Sequence, residues 1–498
     1  VLLVGSGCSA LYFALNAPGD LNITLISKSD FESSDSFLAQ GGICVLRDEK
    51  DFDSFFQDTL KAGHFENDRV SIEIMINSSQ EVIRNLIHYG VPFQQNKDGS
   101  YAFTREGCHS NNRIMYHKDI TGKAITEALL DKVKELPNVS MYQYTTLIDI
   151  ISEDKICYGG VIKTSDNKIK LIKAKNTVLA TGGIGGLYKY STNFPHLTGD
   201  SIAIAINHNI ELKDIDYIQV HPTTFYPDDS DERNFLISES TRGEGAKLYG
   251  KSMKPFTNEL LPRDILTNEI RRKMEQDNID YVWEDLSRIG VKELQNHFPN
   301  IIDYCKERGY DPLKECIPVV PAQHYFMGGI KTDYEGRTSM NNLYAIGETA
   351  CNGVHGKNRL ASNSLLEAMV FAGRAAKTVT NEKFIPSAPF FVNIPVELHE
   401  KLIDEITKKL ENIYKKLNSI CSGYMIESNK NTNDFSYRFN NKELDIKNLS
   451  AGLKTFVILK TLLEKGILEE NGVIILDEPE IHLHPEWQIV LAKITPAI

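Results

Sequence analysis

Val1-Leu2-Leu3-Val4 is a short apolar run without helical period, and Gly5-Ser6-Gly7-Cys8-Ser9-Ala10 follows it directly, ahead of a helix-like segment from Leu11 to Leu15. Strand, glycine turn and helix in that order leave few folds open. Gly5 allows the tight turn, Gly7 lets backbone amides approach a pyrophosphate, and Ala10 packs the helix on the strand. This is a dinucleotide fingerprint with alanine in its last place. A second strand, Ile23-Thr24-Leu25-Ile26, follows at the expected distance, but its end carries Ser27-Lys28 where an acid usually holds a ribose diol. That departure argues against a simple NAD site and leaves FAD open. Because the chain starts inside the first strand, a few residues are expected to precede Val1.

A chain of 498 residues has room for two or three domains. The net charge of -12 argues against broad binding to a nucleic-acid backbone. Eight cysteines lie far apart with no Cys-x-x-Cys pair, which excludes a locally spaced zinc or iron–sulfur framework and suits a reducing cytosol. No apolar run reaches the ~18 residues of a membrane span. The expectation is a cytoplasmic protein that binds neither nucleic acid nor membrane.

Up to about residue 218, strand-like and helix-like segments alternate. Phe37 to Gly42 is a small-residue turn suited to backbone contact with a flat ring or a phosphate. Thr177 to Gly183 is a buried strand ending in glycines, and Gly199-Asp200 opens an apolar helix. From about 219 to 332 the pattern turns to polar loops and irregular helices rich in His, Arg and Glu, and strand-like alternation returns at Gly329 to Glu348. This order predicts an α/β, Rossmann-like FAD-binding domain built from 1–218 and 333–390, with an α+β capping domain inserted at 219–332. The strand Leu343-Tyr344-Ala345-Ile346 closes on Gly347-Glu348, and the polar loop His355 to Glu367 surrounds Arg359 before a helix start. Such loops deliver polar groups to a ligand.

Ala39-Gln40-Gly41-Gly42, Thr104-Arg105-Glu106-Gly107, His221-Pro222-Thr223, Arg242-Gly243-Glu244-Gly245, Pro262-Arg263-Asp264, His324-Tyr325 and the Arg359 loop occur in that order. With them the chain resembles the flavoprotein family of L-aspartate oxidase, fumarate reductase and succinate dehydrogenase, from residue 1 to about 390, and within it the aspartate-oxidising branch. The resemblance implies oxidation of L-aspartate to iminoaspartate, with O2 or fumarate reoxidising FAD, as the first step of NAD biosynthesis from aspartate. It implies a substrate site of Arg263, Arg359, His221, His324, Glu106 and Ser238, the last in a place usually held by Thr. Guanidiniums suit carboxylates because two parallel N–H bonds fix orientation as well as charge.

By the same resemblance Arg263 exchanges the proton. An arginine holds its proton firmly in water, so a carboxylate, Glu239 or Glu244, is expected to relay it. Glu106 is placed to face the ammonium that succinate and fumarate lack. Respiratory relatives tether FAD covalently through a His seven residues before the second glycine of the Gly-Gly pair; here that residue is Asp35, so FAD is expected to bind non-covalently. Its implied contacts are Gly5, Ser6, Gly7, Cys8, Ser9, Lys28, the run Asp35, Ser36, Phe37, Leu38, Ala39, Gln40, Gly41, Gly42, and Asp200, Glu348, Ser364 and Leu365. Quinolinate synthase is the implied protein partner.

The tail departs from this family. Leu398 to Leu417 is an amphipathic Lys/Glu segment; Leu449-Ser450-Ala451-Gly452 and the apolar run into Asp477-Glu478-Pro479 resemble the signature loop and Walker B strand of an ABC-type ATPase. Residues 395–498 are therefore expected to be an ATPase-like fragment. No Gly-x-x-x-x-Gly-Lys-[Ser/Thr] exists in the chain, and Gly182 to Lys189 lacks the Lys-Ser/Thr that grips phosphate and Mg²⁺. Two alternatives remain at this stage: a soluble fumarate reductase or succinate oxidase on the same scaffold, and an ATPase or binding module working through the tail.

Overall fold

The computed structural model describes residues 1–226, 233–381 and three short strands of the tail. In chain order, β1 (Leu2–Val4), α1 (Cys8–Asn16), β2 (Ile23–Ile26) and β3 (Val139–Tyr142) are followed by β4 (Thr146–Glu153), β5 (Ile156–Lys163) and β6 (Ile169–Lys173). Then come β7 (Thr177–Leu179), α2 (Asp200–Asn207), β8 (Ile218–Phe225), β9 (Lys247–Tyr249), α3 (Arg263–Asp277), β10 (Val282–Asp285), β11 (Ile317–Phe326), β12 (Leu343–Ala345) and α4 (Asn363–Asn381).

β1, β2, β3, β7 and β12 form one parallel sheet in the order β12-β7-β1-β2-β3. Both its faces are covered, which is why its strands read as unbroken apolar runs. Leu3, Leu25, Val178 and Tyr344 point to a helical layer containing α1 and α4. Leu2, Val4, Ile26 and Leu179 point the other way, onto Leu147, Ile150, Cys157 and Ile162 of the antiparallel sheet β4-β5-β6. Burying each such side chain contributes roughly 1.5–3 kcal/mol.

The connection direction reverses at the pair β1–β7. In an open parallel sheet the crevice outside the carboxyl ends of the strands at such a point is where ligands bind. The segments leaving β1 (Gly5 to Ser9), β7 (Ala180 to Gly182) and β12 (Gly347, Glu348) all open onto that crevice.

Residues 218–326 hold a second, antiparallel sheet, β8-β11-β10-β9. Polar loops and irregular helices were expected over most of this stretch, and the reason for the difference is visible in the strands. The edge strand β8 carries Pro222, and the inner strand β11 carries Pro318 and Pro321, residues that ordinarily argue against a strand there. The β8–β11 register shifts between Gln219 and Val220 and again between His221 and Thr224. Such irregularities accommodate the prolines and re-aim side chains beside functional sites.

By contact the chain divides into two units, 1–385 and 386–498. In the second, Tyr424–Ser428, Phe435–Phe439 and Lys442–Leu444 form a three-stranded antiparallel sheet. The amphipathic segment 398–417 and the motifs at 449–452 and 473–485 lie outside the described residues.

Candidate active site

A cavity of about 380 Å³ opens at the switch point and runs on beneath the second sheet. Every residue implied above for cofactor and substrate lines it, from Gly5 to Leu365.

At the cofactor end, Gly5 sits at φ 121°, and a Cβ there would lie 2.0 Å from the Ala180 carbonyl oxygen. Glycine is required by both space and backbone. α1 begins after Gly7 with no side-chain cap and no acid in its first turn, so its positive end faces the cavity undiminished. The Cys8 amide donates to Ser36 Oγ at 3.1 Å, and Lys28 pairs with Asp200 at 2.7 Å, joining the ends of β2 and α2. Asp35 Oδ1 accepts from the Phe194 amide at 3.0 Å, whereas Asp35 Oδ2, Ser34 Oγ and Gln40 Oε1 have no hydrogen-bond partner. Glu348 Oε1 accepts from the Phe326 amide at 2.9 Å. Burial pushes both carboxyls up, and Asp35 adds to the rise at Glu348. Unpartnered polar atoms lining a glycine-cradled, helix-headed cavity fit a dinucleotide with many hydrogen-bonding groups. Ser364 and Leu365, in the first turn of α4, complete that end.

At the other end several elements converge. Arg263 is the first residue of α3, where a cation opposes the helix dipole; its position serves something other than helix stability. Its Nε donates to Glu239 Oε2 at 2.6 Å and an NH1 hydrogen goes to Gln219 Oε1 at 2.9 Å. Glu239, and not Glu244, is thus the carboxylate behind Arg263; Glu244 pairs with His297. Asp264 pairs with His64 rather than with its neighbour Arg263. Burial alone would raise Glu239, but Arg263 and Arg242 outweigh it and hold the carboxylate below its usual range.

Arg359 is only 5 % exposed. It donates to Ser364 Oγ at 2.6 Å, lies 4.3 Å over the Tyr325 ring, and keeps an unpartnered Nε. It makes no ion pair among the described residues, and burial, then repulsion from Arg263, lowers it to about 10. A buried, unpaired guanidinium beside a second one calls for an anion.

His221 and His324 meet edge to face at 5.2 Å. Burial first, and then the nearby arginines, keep both well below the usual imidazole range, so both are neutral. His324 Nδ1 is bound to Thr192 Oγ1 at 2.7 Å. His221 Nδ1 lies 2.8 Å from the Thr223 carbonyl and 3.2 Å from the Thr223 amide, while its Nε2 has no partner. A change of tautomer therefore switches that Nε2 between donor and acceptor.

Glu106, 6 % exposed, accepts from Ser362 Oγ at 2.6 Å and Ser240 Oγ at 3.2 Å. Burial, then Glu239, raises its carboxyl, and a cation in the cavity would oppose that rise. Gly41 is pressed against it: a Cβ there would lie 2.3 Å from Glu106 Oε1. Ser238 caps the short helix carrying Glu239 and lines the cavity.

Two contributors were missed in the sequence. Gln219 links Arg263 to Asn358 Oδ1 (2.7 Å) and to the Arg359 carbonyl (2.8 Å); its signal was its place two residues before His221 on one strand. Ser362, held at φ 62°, carries the bond to Glu106, and nothing in its sequence context announces that backbone.

Residues 1–365 match the FAD binding domain family, and residues 374–497 match the AAA ATPase domain family. The chain is 47 % identical to L-aspartate oxidase of Clostridium perfringens over 422 residues, covering 84 % of this chain and 94 % of that protein. It is 46 % identical to L-aspartate oxidase of Clostridium acetobutylicum over 381 residues, covering 76 % and 88 %. Among solved structures, E. coli quinol fumarate reductase superposes with a TM-score of 0.73 at 29 % identity, covering 82 % of this chain and 74 % of that one. The Mycobacterium smegmatis Sdh1 complex gives 0.68 at 28 %, covering 81 % and 72 %.

Proposed function

We infer the chemistry from one premise: the chain belongs to the L-aspartate oxidase family of FAD-binding flavoproteins. It is an FAD-dependent oxidoreductase that converts L-aspartate to iminoaspartate, the entry reaction from aspartate into NAD biosynthesis, with O2 or fumarate as the final oxidant. Bound FAD supplies the two-electron acceptor for the hydride leaving Cα. Gly5 to Ser9, Lys28, Asp35 to Gly42, Asp200, Glu348, Ser364 and Leu365 hold the cofactor. Asp35 stands where the tethered relatives carry His, which supports non-covalent binding.

The chain's own residues do the rest. Arg359 and Arg263 bind the two carboxylates, with the neutral His221 and His324 completing the clamp. Glu106 takes the ammonium. As the C=N bond forms, Arg263 gives its Nε proton to Glu239 and takes up the one lost from nitrogen, so Glu239 is the net acceptor and passes the proton on. No helix among the described residues is long and apolar enough to cross a membrane, and the reading favours a cytoplasmic enzyme. An imine hydrolyses in water, so we propose that quinolinate synthase receives the product directly.

The observation that carries aspartate over succinate or fumarate is Glu106, a buried carboxylate in the same cavity as two guanidiniums. Glu106→Gln should cut aspartate oxidation by about 30-fold or more, the equivalent of losing one charge-assisted contact, and lower fumarate reduction far less. An equal fall in both activities would make that carboxylate structural and remove the assignment.

A further inference from the structure

Behind Glu106 lies a buried knot that the reaction itself does not use. Arg113 is fully buried, and all five of its N–H groups are engaged. Nε donates to Asp51 Oδ2 at 3.1 Å; the two NH2 hydrogens go to Asp51 Oδ1 and Ser54 Oγ, each at 2.8 Å. One NH1 hydrogen goes to Asp58 Oδ2 at 2.7 Å, and the last meets His109 Nδ1 at 3.1 Å. Because a guanidinium can only donate, His109 Nδ1 must accept. That fixes the tautomer: His109 Nε2 carries the hydrogen and donates to the Ala361 carbonyl at 3.0 Å. Ala361 stands between Arg359 and Ser362. Ser362 in turn donates to Glu106, and the His109 amide bonds back to the Glu106 carbonyl.

We propose that Arg113 and His109 are positioning residues forming a rigid strut that sets the spacing between Glu106 and Arg359, and so the selectivity for an amino dicarboxylate over a plain one. The warrant is geometric. Asp51 and Asp58 anchor Arg113 to the helical layer; Arg113 orients one imidazole; the imidazole holds the Ala361 carbonyl, on the short stretch between the clamp arginine and the serine of Glu106. His109 stays neutral in this chain, as burial drives it down to about 4, so the strut does not loosen across the physiological pH range. Ser362, in a left-handed backbone that strains a non-glycine residue, is held in place from both sides.

This inference rests on the aspartate site described above, and the experiment separates the two. The FAD-loaded protein is compared with His109→Gln and His109→Asn for aspartate oxidation and for fumarate reduction. A glutamine amide is long enough to accept from Arg113 and donate to Ala361, whereas asparagine is too short to do both. His109→Gln should keep the aspartate KM within about 3-fold of the parent. His109→Asn should raise the aspartate KM about 10-fold or more and change fumarate reduction by less than about 3-fold, with flavin content retained. If His109→Asn does not retain flavin, Arg113→Lys, which keeps the charge between Asp51 and Asp58 but drops the bond to His109, is judged by the same ratio. An unchanged ratio of aspartate to fumarate activity, or equal damage from Gln and Asn, overturns the strut. A parent protein that does not oxidise aspartate overturns the substrate assignment instead.

Discussion

Arg359→Lys keeps a positive charge in the site and removes the planar fork. The parent guanidinium donates to Ser364 Oγ at 2.6 Å, stacks at 4.3 Å on Tyr325, and has its Nε free for an anion. An ammonium has no plane to stack and cannot bind a carboxylate through two parallel bonds. Losing one charge-assisted pair in a dry site costs about 2–4 kcal/mol, equivalent to ~30- to 1,000-fold in kcat/KM. The enclosure and the Arg263 charge that bring the arginine down to about 10 would lower a lysine in its place as well. The variant should therefore lose activity further as pH rises, more steeply than the parent. Because Arg359 also bonds to Ser364, weaker FAD retention should accompany the kinetic loss. Steady-state kinetics with L-aspartate from pH 6.5 to 9, on protein of known flavin content, measure all three effects. Unchanged kcat/KM per bound flavin would refute the clamp.

Glu239→Gln removes the carboxylate 2.6 Å from Arg263 Nε; kcat should fall by ~10²- to 10⁴-fold with little change in FAD content, and a kcat within 3-fold of the parent would rule out the relay. Glu284 is buried, accepts from Thr241 Oγ1, leaves Oε2 unpartnered, and is pushed up to about 7 by burial. The folded state then binds this proton more tightly than the unfolded chain, so stability falls as pH rises from about 4 to about 7 and stays low above, by up to about 3 kcal/mol. Glu284→Gln should abolish that part of the pH dependence, as denaturant titrations at pH 5 and pH 8 would show.

What could be read in the sequence follows the physics of each element. The switch-point cradle was legible because Gly5 has no alternative: its φ is positive and there is no space for a Cβ. The substrate residues were reached through short motifs whose order survives in the chain, and the fold brings them to one cavity. The second sheet was not legible. Two of its strands, β8 at the edge and β11 beside it, contain three prolines and a buried row of polar side chains, so alternation of apolar and polar residues, the usual sign of a half-buried strand, is missing. Long-range pairings such as Gln219 with the Arg359 loop, or His109 with Ala361, leave no local trace, because each partner is an ordinary polar residue until the fold joins them. The choice between Glu239 and Glu244 likewise needed the short helix Glu239–Gly243, which turns the former inward and leaves the latter to His297.

The most direct test is an anaerobic titration of the purified, yellow protein, followed at the flavin absorbance. L-aspartate should bleach the flavin with one equivalent per bound FAD, and fumarate added afterwards should restore the colour. Bleaching by succinate and not by L-aspartate would contradict the account.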